Sequence, residues 1–328
     1  MKKIFVNELK TGQDLIDQTF LVKSQKKLKT SSNKEYWSLT LGDKTGEIDA
    51  KVWEDKLDTC ESAKEGDAVL ISGAVNEYKG KKQLIIESMQ ITEDYEISDF
   101  LQQTSKDIDK MFKIIEKNIS GMQNKHLKSL LNQFYKDEEF SEKFKQAPGA
   151  KVIHHAYVGG LLEHVSEMLG YAEPVLKDYP NINKDLLITG ILLHDIGKID
   201  ELETNSRIFQ TLKGKFVGHI PIGTIKVAKE MDKIKDFPEE LKDKVLHLIL
   251  SHHGKLEFGS PVKPQLLEAV VLNYLDELSS KTNIAAKAYE LGVNTPEQFS
   301  DKQFGLEGTQ IYLGKHEDND ENNQAQLI

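Results

Sequence analysis

The chain has 328 residues, 38% hydrophobic and 29% charged, with a formal net charge of −10, which describes an ordinary globular chain with room for two domains, each with its own core. Its one cysteine, Cys60, excludes an internal disulfide and suits a reducing compartment. No apolar run nears the ~20 residues of a membrane span, and an acid as early as Glu8 argues against a secretory leader, so a cytoplasmic protein without membrane contact is expected.

Residues 1–95 carry five short strand-like runs rich in β-branched and aromatic residues: Phe20–Val22, Tyr36–Leu41, Glu47–Trp53, Ala68–Val75 and Gln83–Glu87. Turn residues at Gly42–Gly46, Glu65–Asp67 and Tyr78–Lys81 separate them, and a helical piece is expected near Lys56 to Lys64. Five strands with a helix between the third and fourth match the layout of an OB-fold barrel. The stretches Leu41 to Trp53 and Lys64 to Leu84 resemble the nucleic-acid-binding OB domains of the tRNA-anticodon type. Although the whole chain is acidic, Lys23, Lys26, Lys27, Lys29 and Lys34 form a basic run, and Lys79, Lys81 and Lys82 a second cluster. Such a domain can offer Lys23, Lys26, Lys27 and Lys81 to phosphates, and Tyr36, Trp37, Trp53 or Tyr78 to bases. Strand alternation also allows any of these aromatics to fill the barrel, and Trp53 is the one most expected in the core.

From Ser98 to Lys145 the period becomes helical, with Ile108, Met111, Phe112, Ile115 and Ile119 on one stripe. Residues 96–150 read as a helical connector ended by Pro148-Gly149, and 151–300 as an all-α domain broken at Pro180, Gly214, Pro238, Gly254 to Pro264 and Gly292. The remaining 301–328 form a tail whose Glu317, Asp318, Asp320 and Glu321, set among Asn and Gln, give it the composition of a disordered segment.

Eight of the ten histidines fall between His154 and His253. His194-Asp195 follows the apolar run Leu186 to Leu193, where charged groups survive only if they are paired or bind a metal. In order, the candidate ligands are His164, His194, Asp195, His219, His252, His253 and Asp276, spaced widely enough to come from separate helices, as helical bundles build metal sites. Adjacent helical residues point about 100° apart, so His252 and His253 can both ligate only if a helix ends there, which Gly254 permits. Imidazole with carboxylate suits Mn²⁺, Co²⁺ or Fe²⁺, and the absence of thiolates excludes a Cys-type zinc site. His126, His247 and His316 read as ordinary surface or structural residues. His154 and His155 read equally well as channel or supporting residues, and Arg207, the one arginine, as a surface residue.

This order of residues resembles the HD-domain metal-dependent phosphohydrolases. The stretches from His154 to His164, Gly190 to Lys198, Gly218 to Ile220 and Leu250 to Pro261, with an OB domain ahead of them, are similar to the YhaM-type 3'-5' exoribonucleases over roughly Phe5 to Leu291. The resemblance implies a first metal on His164, His194, Asp195 and Asp276, and a second on His219, His252 and His253, with Asp195 bridging. It further implies catalysis by Asp195 and Lys198: a metal-activated hydroxide would cleave single-stranded RNA, and single-stranded DNA as well, to nucleoside 5'-monophosphates. Self-association into a homo-oligomer is also expected. Two rivals are a nucleotide or cyclic-dinucleotide phosphohydrolase and a non-catalytic nucleic-acid-binding sensor. The first is disfavoured by Gly259-Ser260-Pro261, which lacks the tyrosine of the cyclic-dinucleotide enzymes, and the second by the complete ligand set.

Overall fold

The computed structural model describes residues 2–204 and 207–314, apart from the Ile97 side chain; the acidic tail lies outside them. The chain divides into two units, one running to Ser105 and including Tyr157–Gly159 and Leu202–Gln210, the other holding Lys106–Ala156, Gly160–Glu201 and the residues from Thr211 onward.

In the first unit, β1 (Asp14–Lys29), β2 (Glu35–Asp43), β3 (Gly46–Val52), β4 (Ala68–Tyr78) and β5 (Lys81–Ile91) close into a barrel in the order β1-β2-β3-β5-β4. This is the expected five-stranded OB-fold. β1 pairs with β4 over its first half and β2 over its second, and register shifts at Leu15/Gln18 and Val22/Ser24 let it bend between them. The β4–β5 hairpin turns through Lys79 and Gly80, both at positive φ (52° and 76°), which matches the strand twist. Inward residues such as Phe20, Val22, Leu39, Leu41, Ile48, Ala50, Val52, Ile71, Leu84 and Ile86 fill the core. The strands outrun the apolar runs that predicted them, because outward polar residues join the ladder without any apolar signal.

Two expectations for this unit need correction. The helical piece is a 3-10 segment confined to Glu54–Thr59. The Thr59 hydroxyl donates to the Lys56 and Glu87 carbonyls and Cys60 bridges to Met89, so the chain is drawn against β5 before a longer helix can form. Trp53 is outside the core, at 39% exposure. It follows Val52, the last inward residue of β3, so alternation turns it outward.

The second unit is helical. α1 (Ile108–Ser120), α2 (Lys125–Tyr135) and α3 (Glu138–Gln146) start at Asp107, Asn124 and Asp137, whose side chains accept from free backbone N–H groups. Then come α4 (Gly160–Asp178), α5 (Lys184–Leu193), the short α6 (Lys198–Glu201), and a two-stranded hairpin of β6 (Leu202–Thr204) and β7 (Ile208–Gln210) assigned to the first unit. α7 (Leu212–Val217), α8 (His219–Asp232), α9 (Glu239–Ser251) and α10 (Leu267–Gly292) complete the set. Gly214 does not break the chain as expected but lies inside α7. Every residue of α5 from Leu186 to Leu193 is buried, as befits a helix apolar on all sides. α1 to α3 share one core with α4, α5, α9 and α10.

Candidate metal centre

Burial of α5 carries its C-terminal residues inside, so His194 and Asp195 are 0% and 3% exposed. His164 comes from the second turn of α4 and Asp276 from the middle of α10. His219 opens α8 directly after Gly218, whose φ of 78° turns the chain into the helix. α9 ends at Ser251, His252 is its cap and Gly254 takes a φ of 73°, so the His252 and His253 rings sit 4.2 Å apart on one side. All seven sequence-predicted residues meet at one place.

They form two groups. The ligand atoms of His164, His194 and Asp276 lie within 4.8 Å of one another, as do those of His219, His252 and His253. Asp195 lies between: Oδ2 is 3.2 Å from His194 Nε2, and Oδ1 is 3.6 Å from Nε2 of both His219 and His252. Lys198 Nζ stands 2.6 Å from Asp195 Oδ2, one helical turn along. Burial pushes the Asp195 carboxyl up, but Lys198 and His194 overcome it and hold the group well below the usual carboxylate range. Burial, then His253, keeps His252 neutral.

Hydrogen bonds set the tautomers. Nδ1 of His194, His252 and His253 donates to the carbonyls of Ile191, Ile249 and Phe258 at 3.0, 2.7 and 2.7 Å. Nδ1 of His219 donates to Glu201 Oε2 at 3.1 Å. The Ser279 hydroxyl gives its proton to Glu167 Oε2 at 2.7 Å, so it accepts from His164 Nδ1 at 2.9 Å. When neutral, all five imidazoles therefore turn an Nε2 lone pair inward, those of His164 and His194 meeting at 3.4 Å. Among the described residues, the buried Nε2 atoms of His219 and His252 and Oδ1 of Asp195 have no hydrogen-bond partner. Lone pairs converging in a buried space fit divalent cations, and the nitrogen–oxygen donor set fits Mn²⁺, Fe²⁺ or Co²⁺.

Sequence reasoning missed the supporting layer. Ser279, Glu167 and Glu201 lie three residues after Asp276, His164 and Lys198, and that one-turn offset was the available signal. Lys106 bridges Glu163 and Glu167 at 3.1 and 2.7 Å. His155 is fully buried at a φ of 47°, beside Ser279 and Glu167. His154 lies with its ring 6.3 Å from that of His164. His247 accepts from the Gln265 N–H, His126 packs edge-on to Phe237, and Arg207 pairs with Glu65. His316 lies outside the described residues.

On the barrel, the Tyr36 and Trp53 rings pack 5.2 Å apart, tilted by 37°, on the outer face, with Lys51 Nζ 5.3 Å from the Tyr36 ring centre. Lys26 faces Ser38, which faces Lys51, so two lysines on β1 and β3 flank a serine on β2 beside the aromatic pair. Lys51 was not foreseen here, and Trp53, allowed as a stacking surface, was the aromatic most expected in the core. Trp37, of opposite parity, leans on the core. Lys27 pairs with Glu35 at 2.6 Å, and Lys23 is half-buried with its stem against Gly42. Tyr78, 61% exposed, and Lys81 face each other across the β4–β5 turn.

Comparison with known proteins agrees with this division. The family model of the HD domain matches residues 153–281, and that of an OB-fold nucleic acid binding domain matches residues 22–92. The chain is 34% identical over 300 residues to the 3'-5' exoribonuclease YhaM of Geobacillus sp. (strain WCH70), covering 90% of this chain and 91% of that protein. It is 33% identical over 300 residues to the protein of the same name from Bacillus subtilis (strain 168), covering 90% and 94%.

Proposed function

Since the chain belongs to the YhaM family of 3'-5' exoribonucleases, we propose that it removes nucleotides from the 3' end of single-stranded RNA, and of single-stranded DNA, as nucleoside 5'-monophosphates in a metal-dependent reaction. The observation that carries this reading is the pair of imidazole groups on either side of Asp195, with Nε2 of His194, His219 and His252 within 3.6 Å of its carboxylate and its Oδ1 buried without a hydrogen-bond partner among the described residues.

His164, His194 and Asp276 would hold one cation and His219, His252 and His253 another, with the Asp195 carboxylate lying between the two groups. Mn²⁺ suits this donor set, with Fe²⁺ or Co²⁺ as alternatives. When bound at these residues, such cations would supply Lewis acidity toward water and toward the charge on the phosphodiester oxygens. Lys198 keeps Asp195 ionised and sets a second positive charge where a substrate phosphate would lie. On the barrel, Tyr36 and Trp53 would stack on bases while Lys26 and Lys51 meet phosphates. The lone cysteine suits work in the reducing cytoplasm.

The test is degradation of single-stranded RNA labelled at its 5' end, with Mn²⁺ or with EDTA. A Mn²⁺-dependent ladder of shortening 5'-labelled products and release of 5'-monophosphates is expected. Intact RNA, with turnover of mononucleotides or cyclic dinucleotides instead, would contradict the reading.

A further inference from the structure

The three imidazoles of the second group are aimed in different ways. His252 and His253 are fixed by neutral backbone carbonyls, those of Ile249 in α9 and Phe258 in the segment after it. His219 is the first residue of α8, with no helical turn ahead of it, and its Nδ1 meets a carboxylate. We propose that Glu201 is the positioning residue of this group, holding His219 in the tautomer and direction needed to take up the second cation. The inference rests on the two-cation reading above.

Glu201 is itself tightly held. It ends α6 at 8% exposure, its N–H donates to the Gly197 carbonyl at 2.9 Å, and its own carbonyl accepts from the Thr211 N–H at 2.9 Å. α7 closes over it at Gly214, where a Cβ would come 2.4 Å from the Glu201 carbonyl oxygen and 2.9 Å from its Cγ. The missing side chain at Gly214 therefore lets α7 press the Glu201 side chain into place. A carboxylate accepting from Nδ1 fixes the ring and raises the basicity of Nε2, and loss of such a partner typically weakens metal binding 10–100-fold. The same short helix thus carries Lys198 toward Asp195 at its start and Glu201 toward His219 at its end.

The experiment is Mn²⁺ titration of the full-length protein, followed by calorimetry and by electron paramagnetic resonance. The variants are Glu201→Ala, Glu201→Gln and Gly214→Ala, each checked for folding by circular dichroism. The native protein should bind two ions and give the signal of a coupled pair. Glu201→Ala should keep one ion at native affinity, bind the other at least about tenfold more weakly, and give the signal of an isolated Mn²⁺. Glu201→Gln, which keeps an acceptor for Nδ1, should restore part of that affinity, and Gly214→Ala should weaken the same ion. Two ions at native affinity in Glu201→Ala, or in a folded Gly214→Ala if the former fails to fold, would overturn the proposal and leave the two-cation reading intact. A native protein that takes up no Mn²⁺ would overturn both.

Discussion

Oδ1 of Asp195 and Nε2 of His252 face each other at 3.6 Å, both buried and both without a hydrogen-bond partner among the described residues. Two lone pairs at that distance repel unless a cation or a proton lies between them. Mn²⁺ should therefore stabilise the second unit, by about 2.7 kcal/mol for each ion at a hundredfold excess over Kd. For a unit of this size that raises the melting temperature by roughly 5–10 °C. Asp195→Asn should abolish most of the shift; an equal shift in the variant, by differential scanning fluorimetry, would refute the role of Asp195.

Gly197 fixes where His219 can be. A Cβ on Gly197 would lie 2.0 Å from the His219 carbonyl oxygen and 2.7 Å from the Gly223 nitrogen. Both atoms belong to the backbone of α8 and cannot rotate away. Gly197→Ala should cost about 3 kcal/mol or more in urea unfolding and eliminate RNA cleavage, whereas a change within ~0.5 kcal/mol would show that α8 gives way freely.

The outward turn of Trp53 leaves its ring exposed beside Tyr36, where the proposed reading puts a base. Trp53→Ala and Tyr36→Ala should each weaken single-stranded RNA binding by ~1–3 kcal/mol, read by fluorescence anisotropy. Lys26→Ala and Lys51→Ala should each lower the salt slope of log K by roughly 0.7, the single-strand value for one phosphate contact. Trp37→Ala, which strips a residue packed on the barrel core, should lower the melting temperature instead. Unchanged affinity in Trp53→Ala would remove this face from the interface.

Burial, then His164, holds the His155 imidazole down to about 2 from its ordinary 6.5. The folded chain thus leaves it neutral where the unfolded chain protonates it, so stability present above pH 6.5 is lost as pH falls toward 2. One proton corresponds to about 1.4 kcal/mol per pH unit. In EDTA, the fall in unfolding free energy between pH 6 and 4 should be shallower by about that slope in His155→Asn, a variant chosen because Asn tolerates the positive φ. Parallel pH profiles would contradict the assignment.

The sequence made the ligands legible because buried His and Asp beside apolar runs have few other uses, and it made the barrel legible through its alternating strands and the Lys79-Gly80 turn. It hid Ser279, since a hydroxyl one turn from a ligand is ordinary on any helix, and Glu201, which lies one turn from Lys198 and meets its ligand, His219, only across the fold. It also misjudged Trp53, whose size argues for the core while its parity argues against it. The end of α9 at Ser251 was legible only as a condition: both His252 and His253 could serve if Gly254 stopped the helix, and it does.

The central claim is that Asp195 joins two cations. Anomalous diffraction at the manganese edge from crystals soaked in Mn²⁺ tests it most directly. Two peaks are predicted, one among His164, His194 and Asp276 and one among His219, His252 and His253, each in contact with a different Asp195 oxygen. No peak at these residues, or a single peak that leaves one of the two groups empty at saturating Mn²⁺, would contradict it.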